Sequence, residues 1–137
     1  MIMKDFYNLK VEEVMNDKIW DIPLIEADAN LRMILIILTA RGYTWVVENN
    51  KSLNIMGVIT EHDVLRIIEN FDEKMRAKDF ARRDLITCSR DERISEVINK
   101  IKKYGVRRIP VVENGKIVGE ITLRHLIEKV YSLIAEF

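Results

Sequence analysis

"RRIPVVENGKIVGEITLRH", residues 107–125, decides the fold. Ile109 to Val112 is apolar, β-rich and short enough to be a strand. "ENGK" follows, and Asn-Gly is a strong signal for a tight hairpin because both central residues must adopt positive φ. Ile117 to Ile121 then reads as the returning strand. After Thr122, Leu126, Ile127, Val130 and Ile134 recur at helical spacing, which predicts a helix over 123–133. Upstream, Ile94, Val97, Ile98 and Ile101 mark another helix. Asp91 is placed to cap its start and Gly105 to end it. "LITC", residues 85–88, is a short strand ahead of that helix. The order is β-α-β-β-α.

The same order occurs earlier in the chain. "IPLIEAD" (22–28) is a short strand and its exit, and 31–40 is a very apolar helix. "YTWVVE" (43–48) and "NIMGVI" (54–59) are strands around the turn "NNKS". "EHDVLRIIENF" (61–71) is a helix. "GVIT" and "GEIT" close the paired strands, so Thr60 and Thr122 are equivalent. A pattern stated twice is an internal repeat. One unit of about 60 residues buries too little surface to be secure alone. Two copies packed sheet to sheet about a pseudo-two-fold axis share a core. The expected class is α+β, with repeat 1 at 8–70, a charged connector at 71–84 and repeat 2 at 85–134. Residues 8–15, "NLKVEEVM", read as the connector's counterpart.

Composition narrows the function classes. Of 137 residues, 48% are hydrophobic and 32% charged, with five Gly and two Pro, which argues against disorder. A single cysteine, Cys88, excludes an internal disulfide, and Cys88, His62 and His125 lack metal-ligand spacing. The longest apolar run, "MILIIL" (33–38), is too short to span a bilayer, and the start lacks a signal-peptide core, so a cytoplasmic protein is expected. Residues 1–70 carry 7 basic and 11 acidic side chains, whereas 71–137 carry 15 and 11. This polarity suits gathering an anion at one place. No nucleophile–base–acid set suggests an enzyme. No helix-turn-helix, finger or aromatic platform suggests nucleic-acid binding, although the second half is basic.

The duplicated β-α-β-β-α order, "RRIPVVENGKIVGEIT" and "GVITEHD" together resemble a tandem CBS-domain pair, a regulatory module that often binds adenosine compounds. The resemblance runs from about residue 8 to 134. It implies a Thr at the end of the last strand near phosphate or ribose, and an Asp three residues later taking the ribose hydroxyls. In the first copy these are Thr60 and Asp63. On their residue chemistry alone, the two also read as a helix start. A carboxylate can accept both hydrogen bonds of a cis-diol, while a hydroxyl and helix-start amides suit phosphate oxygens. The adenine pocket implied by the family draws on Leu24, Ile25, Tyr43, Thr44 and Met56, with Trp45 nearby; most of these are core residues in any reading.

The second copy departs from the pattern. His125 occupies the Asp place, and an imidazole cannot accept as a carboxylate does. Thr87 and Thr122 remain as candidate contacts there. Arg107, Arg108 and Arg124, with His125, form a basic group that the resemblance assigns to phosphates held by the other repeat, a task suited to guanidinium groups. Lys100, Lys102 and Lys103 read as solvated charge. The resulting expectation is a sensor binding AMP, ADP or ATP, with one good site at Asp63. S-adenosylmethionine fits less well because its sulfonium would meet positive neighbours. A homodimer through apolar helices and an unidentified regulated protein are the expected partners. An interaction module with degenerate sites and a nucleic-acid binder are the alternatives.

Overall fold

A computed structural model describes residues 2–135. In chain order its elements are α1 (Ile2–Asn8), β1 (Leu24–Glu26), α2 (Leu31–Arg41), β2 (Tyr43–Val47), β3 (Ile55–Thr60), α3 (Val64–Glu69), α4 (Ala77–Phe80), α5 (Ile94–Tyr104), β4 (Arg108–Glu113), β5 (Lys116–Thr122) and α6 (Leu123–Ala135). Short 3-10 turns occupy Val11–Glu13, Ile19–Asp21 and Glu61–Asp63. The chain divides into two compact units. One is Trp20–Leu85. The other combines the chain up to Ile19 with the chain from Ile86 onward.

In the Trp20–Leu85 unit, β1 runs parallel to β2 and β2 antiparallel to β3. Asn30 caps α2 by accepting from the Met33 amide at 3.0 Å, and Gly42 ends the helix at φ +83°, a conformation that suits glycine. Leu31, Ile34 and Leu38 turn one face of α2 onto Ile25, Val46 and Ile59 of the sheet, and Ile67 of α3 and Phe80 of α4 complete this core. Each such fully buried aliphatic contributes roughly 1.5–3 kcal/mol by leaving water.

The second unit repeats the arrangement. β4 pairs antiparallel with β5, and Asn114 (φ +51°) and Gly115 (φ +79°) form the tight turn that Asn-Gly predicts. Both hairpins shift register at the equivalent place, between Val46 and Val47 and between Val111 and Val112. The first hairpin has the longer connection, with Leu53 at φ +57°. Phe6, Val11, Cys88, Ile94, Val97, Ile109, Val111, Ile121 and Leu126 form this unit's core. Helix α1, unanticipated from sequence, thus supplies Phe6.

Three local expectations change. The strand at 85–88 is reduced to one parallel bridge, Cys88 to Val111. The chain leaves the sheet at Ser89, whose amide is held by the Glu92 carboxylate at 2.6 Å. Asp91 does not cap α5: Arg93 occupies that position without a side-chain bond, and the Ile94 amide donates to the Leu9 carbonyl at 2.9 Å. Backbone from the N-terminal segment has replaced a side-chain cap. Lys100 is not simply solvated either, since its ammonium bridges the Glu92 carboxylate and the Thr87 carbonyl.

The segments before each copy pack in exchanged fashion. Residues 71–84 stay with the first copy, where Val58 and Arg82 exchange backbone bonds at 2.9 Å each way. The segment ending at Ile19 joins the second copy, where Asn16 and Glu120 do the same at 2.9 and 3.0 Å. The linear repeat 8–70 and the compact unit Trp20–Leu85 therefore differ at both ends, over 8–19 and 71–85. The glycines of "GVIT" and "GEIT" explain the close approach. A Cβ on Gly57 would lie 2.5 Å from the Arg82 carbonyl oxygen, and one on Gly119 2.6 Å from that of Asn16.

Candidate ligand site at the end of the first hairpin

Strand β3 ends at Thr60, opposite Tyr43, and the chain turns at once through Glu61–Asp63 into α3. That turn brings the Asp63 carboxylate back over the strand end. Asp63 Oδ2 accepts from the Thr60 amide at 2.8 Å and the Thr60 hydroxyl at 3.3 Å. Asp63 Oδ1 lies 3.3 Å from the Arg66 guanidinium and 3.3 Å from Arg82 Nε. The aspartate is only 5% exposed. A buried carboxylate is tolerated because cations and donors replace its lost hydration. Arg66 also donates to the Phe80 carbonyl, and Arg82 reaches the Thr60 hydroxyl at 3.4 Å.

Thr60 and Asp63, paired by sequence reading, are thus in direct contact. The aspartate both caps the turn and anchors two arginines. Those arginines were missed, because nothing in "FARRD" or "VLRI" separates a site-directed guanidinium from a solvated one. Leu24 stands opposite Trp45, and Thr44 is fully buried beside them. Tyr43 is buried and meets Trp45 edge-on at 5.8 Å. Ile25 and Met56 pack with the helix-side core, which accounts for their burial without a ligand.

The equivalent end of the second hairpin is built differently. Thr122 stands opposite Arg108, and the Thr122 amide donates to His125 Nδ1 at 3.1 Å. His125 performs the capping task of Asp63 with one nitrogen. Its own amide donates to the Thr122 hydroxyl at 3.3 Å. Arg107 is exposed, and its carbonyl accepts from the Leu123 amide at 3.0 Å. Arg124 is 85% exposed and pairs with Glu128 at 2.9 Å. Thr87 offers its carbonyl to Lys100.

Among the described residues no group of His, Cys, Asp and Glu is assembled as a metal site, and no helix is long and apolar enough to cross a membrane. An open apolar groove of about 640 Å³ runs elsewhere in the first unit, along Leu35, Ile36 and Ala40 of α2 to Phe71.

Comparison with known proteins identifies the repeat. The CBS-domain family model matches residues 11–70 and 77–132. The uncharacterized protein MJ1232 of Methanocaldococcus jannaschii is 35% identical over 118 residues, covering 84% of this chain but 37% of that protein. The chain thus spans little more than a third of that relative. Among solved structures, CBSX2 in complex with AMP aligns with a TM-score of 0.78 at 16% identity, covering 91% of this chain and 98% of that one. The CBS domain of a bacterial CNNM/CorC family Mg2+ transporter in complex with ATP aligns with a TM-score of 0.77 at 19% identity, covering 95% and 92%.

Proposed function

Since this chain belongs to the CBS-domain family, with both copies of the repeat present, we propose that it is a regulatory module that binds an adenine nucleotide beside Thr60 and Asp63. The observation that carries the reading is the Asp63 carboxylate. It is buried at a strand end, in contact with the Thr60 hydroxyl, and flanked by two half-exposed guanidinium groups. Such a set offers acceptors to a ribose and cations to a phosphate. Similar folds have been solved with AMP and with ATP. The cationic surroundings favour these over S-adenosylmethionine, whose sulfonium would be repelled.

Binding regulates only if the ligand favours one arrangement over another. The readout would be a partner protein, a further part of a longer chain, or a second copy. We favour a homodimer in the cytoplasm. Leu123, Ile127, Tyr131 and Ile134 form an exposed apolar stripe on α6, and Leu65, Ile68 and Phe71 a second exposed set in the other unit. Exposed apolar surface of this kind marks interaction sites.

Calorimetric titration of AMP, ATP and S-adenosylmethionine into the wild type and Asp63→Ala tests the site. We expect AMP or ATP to bind the wild type and to lose about tenfold or more in the variant. Silence of all three ligands, or binding indifferent to Asp63→Ala, would refute it.

A further inference from the structure

We propose that Arg82 is a built-in stand-in for the ligand: it holds the ribose-accepting oxygen of Asp63 and swings onto the phosphate when a nucleotide displaces it. The proposal rests on the Thr60–Asp63 reading and identifies which residue makes room for the nucleotide.

The backbone of Arg82 is fixed. It exchanges two hydrogen bonds with Val58, and the bare Cα of Gly57 lets it lie flush against β3. From there its side chain reaches both groups a nucleotide would use, Asp63 Oδ1 and the Thr60 hydroxyl. Asp63 Oδ2 is already committed to the Thr60 amide and hydroxyl, and Oδ1 to the two arginines. A cis-diol brings two new donors, and the departure of Arg82 would free two acceptor places, one on Asp63 Oδ1 and one on the Thr60 hydroxyl.

Arg66 is the poorer candidate to leave. It has a second anchor on the Phe80 carbonyl, and by staying it keeps the buried carboxylate compensated. Arg82 makes only long contacts, 3.3 and 3.4 Å, and its side chain is 51% exposed. Once replaced by ribose hydroxyls on Oδ1 and the Thr60 oxygen, its guanidinium is a tethered cation beside the bound sugar. A phosphate restores the charge-assisted bonds that the exchange removed. A nucleoside without phosphate displaces Arg82 and restores nothing. The exchange therefore selects nucleotides over nucleosides.

The second unit supports treating the two residues as one device. At the place of Arg82 it has Asn16, bonded to Glu120 as Arg82 is to Val58, and at the place of Asp63 it has His125. Both charged members are replaced together.

Calorimetry of adenosine and AMP against the wild type, Asp63→Ala and Arg82→Gln tests this, with circular dichroism confirming that each variant folds. In Arg82→Gln, AMP should weaken about tenfold while adenosine binds at least as well as before, collapsing the preference for phosphate. Equal weakening of both ligands, or no change in AMP binding, would overturn the exchange while leaving the Asp63 site intact. AMP binding that is absent from the wild type or insensitive to Asp63→Ala would overturn both. Independently, the Arg82 Nε resonance should move on adding AMP while that of Arg66 stays; an unmoved Arg82 resonance in a binding-competent protein would also refute the proposal.

Discussion

Cys88 shows how burial alone sets a residue's chemistry. Its thiol lies in the core of the second unit and is pushed up to about 12 from 9.0, mainly by desolvation and further by Glu92, with Lys100 opposing. The folded thiol therefore stays protonated while an unfolded chain would ionise near pH 9. The unfolded state then holds fewer protons, so this residue's contribution to stability is complete below pH 9 and declines as pH rises toward about 12. Urea unfolding at pH 8 and pH 10 should show a loss in the wild type that Cys88→Ala lacks. A thiol reagent at pH 8 should label the native protein far more slowly than the unfolded one. A pH response shared by the alanine variant would exclude Cys88 as its source. At the same scale, the roles of Asp63 and His125 were only half legible. Their place in the repeat could be read, because position follows from periodicity. Their partners could not, because Arg66 and Arg82 meet Asp63 through tertiary contacts that leave no pattern in the chain.

At the scale of elements, the paired glycines permit a direct test. Gly57→Ala would drive a methyl into the Arg82 carbonyl and the Ala81 side chain, at 2.5 and 2.9 Å. The obstruction is backbone, so the connector must shift, at a cost of about 1–3 kcal/mol or more. Gly105→Ala meets nothing within 4 Å and suffers only from its φ of +65°, about 1 kcal/mol. Chemical denaturation should rank Gly57→Ala as the more damaging, and the reverse order would mean that the connector is not held as described. The hairpins and main helices were legible because hydrophobic spacing and Asn-Gly are local signals. The 85–88 strand and the Asp91 cap were not. Each is decided by a distant segment, Val111 in one case and Leu9 in the other. Helix α1 was missed because its single buried anchor, Phe6, makes no periodic pattern.

For the whole molecule, the exposed helix faces make association the measurable property. Light scattering should give twice the chain mass, and Ile127→Glu combined with Leu65→Glu should give a monomer with an unchanged circular dichroism spectrum. A monomeric wild type at high concentration would remove the dimer from the proposal and leave the apolar faces to a different protein. Nucleotide binding to the native state should also raise the unfolding temperature, since a ligand at a hundred times its dissociation constant adds about 2.7 kcal/mol.

The exchanged packing of the segment ending at Ile19 makes one unit an insertion within the other along the chain. During synthesis the Trp20–Leu85 unit has all its core residues once Leu85 emerges. Phe6 and Val11 are made first yet must wait for Ile94, Val97, Ile109 and Leu126, the residues that bury them. The nested unit, which carries Asp63 and Arg82, is thus the first that can be completed, while the enclosing unit closes only as the second repeat is finished.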